Sequence, residues 1–74
     1  MKISNEATAE EAIAVWRNKD PKEVLRHIRL SIETLELNQM HYENRGNEKG
    51  VIRSENAIDI LILRRKEIES ELLR

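Results

Sequence analysis

The run from Asp20 to Asn44 contains no glycine and only one proline, at its second position, and its apolar side chains recur with a helical period. Asp20 is a good N-cap, because its carboxylate can accept from the free N–H groups of the first turn. Pro21 suits the first helical position, where its missing N–H costs nothing. Glu23 adds negative charge where the helix dipole is positive. These signals predict one helix over residues 21–44, a rod of about 36 Å. In a chain of 74 residues, the remaining elements must pack along that rod.

At about 100° per residue, Val24, Leu25, Ile28, Ile32, Leu35 and Tyr42 fall in one arc, which predicts a core stripe. Leu30 and Leu37 fall on nearly the opposite side, spaced by one heptad. The long helix therefore has two apolar faces, and the second needs a cover.

Composition limits what that cover can be. A chain this short buries only about 60–65% of its unfolded surface. It has no cysteine, so neither a disulfide nor a thiolate zinc site can reinforce it. Trp16 and Tyr42 are its only aromatic residues. Ile, Leu, Val and Ala must supply the core, and oligomerisation is a common way for such a chain to gain stability. The net charge of −1, with 36% charged residues, points to no nucleic-acid or membrane-surface partner by charge alone. The N-terminus lacks an apolar signal segment, and no run is long enough to span a bilayer. The expected location is cytoplasmic, in the producing cell or in a virus-infected host cell.

The flanking segments give two more helices. Residues 1–7 read as a loose arm, with Ile3 able to dock on the core. Thr8 and Glu11 form a T-x-x-E capping box, so a short helix is expected over about 9–17. Ala9, Ala12, Ile13 and Trp16 share one side of it. Asn18 to Pro21 is a tight connector, because Pro21 disfavours a helical Asp20. Asn44 to Gly50 is the clearest break, where Gly46 or Asn47 can supply a left-handed residue and Gly50 a second flexible point. Ser54 reads as the N-cap of a last helix, over about 54–73. Ala57, Leu61, Ile68 and Leu72 form its core stripe, widened by Ile58 and Ile62. Ile60 and Leu63 fall outside that stripe.

The expected fold is all-α: a single small domain over 1–74. It comprises the short N-terminal helix and an antiparallel hairpin of the two long helices, which completes a helical bundle by dimerisation. The association surface is expected at Trp16, Leu30, Leu37, Ile60 and Leu63. Catalytic, cofactor and metal sites are not expected. His27 and His41 are about 21 Å apart on one helix, and the only nearby ligand partner at helical spacing is Glu23, four residues before His27. No glycine-rich phosphate loop exists.

The leading functional expectation is a non-enzymatic, homo-oligomeric protein–protein interaction module, acting as adaptor, inhibitor or small regulator and having no membrane partner. The alternative is a nucleic-acid-binding regulator. Its contacts would come from Arg26 and Arg29 on the long helix, Arg45, Lys49 and Arg53 around the break, and Arg64, Arg65 and Lys66 on the last helix. A third reading is a binder of small anionic ligands at an oligomer interface.

Overall fold

In the computed structural model, which describes residues 2–74, three helices follow one another: α1 (Glu6–Trp16), α2 (Pro21–Asn44) and α3 (Glu48–Leu72). Among the described residues there is no strand. The molecule measures 43 × 20 × 15 Å.

α1 starts three residues before the expected position. Asn5, not Thr8, is its N-cap. The Thr8 N–H donates to Asn5 Oδ1 at 2.9 Å, and the Asn5 N–H donates to Thr8 Oγ1 at 3.0 Å. Thr8 thus plays the third-residue role of a capping box rather than opening one. The arm is not loose either: Ile3 is buried in the core. Met1 lies outside the described residues.

α2 has the expected bounds, and Asp20 caps it, accepting from the Lys22 N–H at 3.0 Å. At its far end Gly46 adopts φ +69°, the left-handed conformation that glycine takes without penalty. The Gly46 N–H then donates to Glu43 O at 3.1 Å, and the Asn47 N–H to Tyr42 O at 2.9 Å. This pair of bonds closes the helix as a Schellman motif.

α3 begins seven residues earlier than a Ser54 cap requires. Asn47 caps it, accepting from the Gly50 N–H at 3.0 Å. One residue therefore finishes α2 with its backbone and starts α3 with its side chain. Gly50 is not a hinge but a buried helical residue against the Tyr42 ring. Ser54 is 1% exposed, well inside the helix. Leu72, expected in the core, is exposed near the end of α3.

The core joins Ile3, Ala9, Ala12 and Trp16 to Val24, Ile28, Ile32 and Leu35 of α2 and to Ala57, Leu61 and Ile68 of α3. Ala9 and Ala12 of α1 and Ala57 of α3 are fully buried, so these helices approach closely. α3 packs against both other helices, and α1 rests mainly on α3. Trp16 reaches α2 by stacking on His27, with ring centroids 5.5 Å apart and planes 12° from parallel. Among the described residues, no helix is long and apolar enough to cross a membrane.

Candidate functional site

The residues singled out for association do not form one surface. Trp16 is buried, and its indole belongs to the intramolecular core. Ile60 is half-buried and packs against that core. Leu30, Leu37 and Leu63 remain exposed, at 45%, 52% and 62%. Leu30 borders a groove of about 420 Å³ with Ile3, Trp16 and His27. Ile60 and Leu63 border a different groove, of about 310 Å³, with Ile13 of α1 and the following Arg17. α1 thus contributes to both grooves, and the two leucine sets are not juxtaposed.

The basic residues divide as well. Arg26, Arg29 and Arg65 share a groove of about 430 Å³ with Lys22, Leu25 and Glu69. Arg64 lies elsewhere, with Nη1 3.6 Å from Glu67 Oε1. The Arg53 guanidinium sits 5.8 Å from the Tyr42 ring centroid, within cation–π range. Arg45, Lys49 and Lys66 are exposed and line none of these grooves. A continuous basic stripe does not form.

The two histidines occupy different surroundings. His27 is half-buried beneath Trp16, with Nε2 3.7 Å from Glu23 Oε1. His41 is exposed in the last turn of α2.

One surface was missed by sequence reasoning. α1 covers one side of the α2–α3 pair. On the other side Leu25, Val51, Ile58 and Ile62 stay half-exposed. Three of them, Leu25, Ile58 and Ile62, belong to the core stripes expected from the helical period. The signal was present in their position: each lies at the rim of its helix's core arc, about 60–110° from the arc's centre. A two-helix layer has two broad sides, and an eleven-residue α1 can cover only one.

This side has contrasting ends. The groove around Arg26, Arg29 and Arg65 holds four cationic side chains and one carboxylate, Glu69. A second groove, of about 490 Å³, lies at the α2–α3 turn and is lined by Glu43, Glu48, Glu55, Val51 and Ile52, with no cationic residue.

Comparison with protein-family models, curated proteins and solved structures finds no match to this chain.

Proposed function

We propose that this chain is a non-enzymatic, homo-oligomeric helical module that binds another protein as an adaptor, inhibitor or small regulator. Its two long helices form an antiparallel hairpin. Two contacts support that arrangement. Gln39, late in α2, donates to Glu55, early in α3, at 3.0 Å. Arg26 and Arg29, early in α2, share a groove with Arg65, late in α3.

The observation that carries the reading is the apolar surface left over once the three helices have packed. Leu30 and Leu37 are about half exposed on the outer side of α2, and Met40, three residues on from Leu37, is 50% exposed. Isolated exposed leucines are ordinary, but apolar side chains continued along one helix mark a contact surface.

Sedimentation equilibrium up to high micromolar concentration tests the oligomer: a dimer is expected, and a monomer throughout overturns it. A folded Leu30→Glu, Leu37→Glu variant then tests the partner surface. Cross-linking in source cells should lose its hetero-protein adducts, and an unchanged adduct pattern overturns that assignment.

The groove containing Lys22, Arg26, Arg29 and Arg65 favours one second reading, contact with a nucleic-acid backbone. That reading requires salt-dependent retention on a DNA column, and passage through the column at low salt rejects it.

A further inference from the structure

The side of the hairpin away from α1 has a charge pattern that matches its own reverse. At about 100° per residue, Leu25, Arg29 and Glu36 of α2 lie about 140–180° from Thr34 and His27, which line the groove beside Trp16. Ile58 and Ile62 of α3 lie about 140–180° from Glu67, which borders α1. These residues therefore share the uncovered side. Ile58 and Ile62 lie between its ends; one end, with Leu25, is cationic, and the end at the turn, with Val51, is acidic.

We propose that this side seats a second copy of the chain, turned end for end about a twofold axis that passes beside Ile32 and Ile62. The inference rests on the homo-oligomer and antiparallel hairpin proposed above, and adds the face and the register. The occupant is chosen by charge. A copy laid in the same direction would set cations on cations and carboxylates on carboxylates. A copy turned end for end sets each cationic end over an acidic end, twice per dimer, as a twofold contact requires.

The register follows from one hydrogen bond. Gln39 bonds to Glu55, so these residues are level across the hairpin. Stepping away from that pair in opposite chain directions brings Ile32 level with Ile62 and Arg29 level with Arg65. An axis beside Ile32 and Ile62 places the half-exposed Ile62 against its own copy. Along α2, the same axis brings Arg29 onto Glu36 of the other copy, and Lys22 onto Glu43. All four of these charged residues are exposed and lie on the uncovered side. Leu25, Val51, Ile58 and Ile62 provide the apolar contact area, and the charged residues select the direction.

Charge reversal tests both face and direction. One variant carries Lys22→Glu and Arg29→Glu, and the other carries Glu36→Lys and Glu43→Lys. Neither pair touches the core, and Lys22→Glu and Glu43→Lys each favour the helix dipole, so both variants should keep the wild-type helical circular dichroism. Sedimentation equilibrium of either variant alone should show a dimer dissociation constant raised by about tenfold or more, because like charges then meet at both ends. An equimolar mixture should form a heterodimer within about threefold of wild-type affinity, because every contact is again between opposite charges. Leu30→Glu, Leu37→Glu should leave the dimer intact.

Wild-type affinity in either charge-reversed variant overturns the proposal, as does a mixture that fails to re-associate. A dimer lost only in the Leu30, Leu37 variant moves self-association to the outer side of α2. That result overturns this inference while leaving the homo-oligomer standing. A wild-type chain that stays monomeric overturns both.

Discussion

Gly50 should resist replacement by alanine, although alanine is the better helix former. A Cβ built at Gly50 lies 2.5 Å from both Cγ and Cδ1 of Tyr42, and 2.8 Å from Cδ2. Carbon atoms pack best at about 3.5–4.0 Å, so the ring would have to retreat by about an ångström or the two long helices would have to part. Overpacking of this kind costs about 1–3 kcal/mol. Against it stands a helix-propensity gain of about 0.5–1 kcal/mol for Gly→Ala, at the low end here because Gly50 sits in the first turn. The expected net effect of Gly50→Ala is a loss of about 1 kcal/mol, which for a domain of this size lowers Tm by roughly 4–8 °C. The sign should reverse once the ring is gone. In a Tyr42→Ala background only the propensity term remains, and Gly50→Ala should stabilise by about 0.5 kcal/mol. Urea unfolding of all four proteins, followed by far-UV circular dichroism at one fixed protomer concentration, gives the coupling between the two sites. If Gly50→Ala stabilises the wild type as much as it stabilises Tyr42→Ala, ring contact is not what keeps a glycine at this position.

Two further substitutions probe the helix start and the core. Ser54→Ala should be neutral or slightly stabilising, because Ser54 is a buried helical residue; a helix cap at this position would lose about 1 kcal/mol. Ser54→Asp, a good cap by residue type, should instead destabilise by at least about 2 kcal/mol by burying a carboxylate, and a tolerant midpoint in denaturant would contradict the packing described. Leu61→Ala should cost about 2–5 kcal/mol, whereas Leu63→Ala, two residues away and 62% exposed, should change the unfolding midpoint little when measured at low protein concentration.

Why some elements were readable and others were not can be traced to single residues. α2 was fully legible, because Asp20-Pro21 admits one start and no breaker follows until Gly46. α1 was misplaced because Asn5 and Thr8 are both capping residue types, three apart. A Thr8 cap pairs with Glu11 and an Asn5 cap pairs with Thr8; the second pairing forms, with Ile3 buried just ahead of it. α3 was shortened because Gly50 reads locally as a breaker. Its place under the Tyr42 ring is a contact between helices, which no local propensity reports. The same limit applied to the candidate surface. Arc arithmetic grouped Leu25, Ile58 and Ile62 with the core, but it cannot say where a core ends. That boundary depends on which side α1 takes, and α1 takes the side that buries Trp16 against His27. The exposed leucines at 30, 37 and 63 were legible because they stand far outside any one-sided stripe.

The dominance of α3 in the packing sets an order of events for the chain as it is made. α1 and α2 are neighbours in sequence, yet their joint contact is slight beyond the stack of Trp16 on His27, and α3 is what each of them leans on. A nascent chain carrying only the first two helices has Ala9 and Ala12 with nothing to close upon, and an α2 stripe facing water. Structure must therefore wait for synthesis to pass Ile68, and then form through contacts between distant parts of the chain. Until that point the polypeptide is a substrate for proteases and chaperones. A chain cut short before α3 leaves Ala9, Ala12 and the α2 stripe without their main partner.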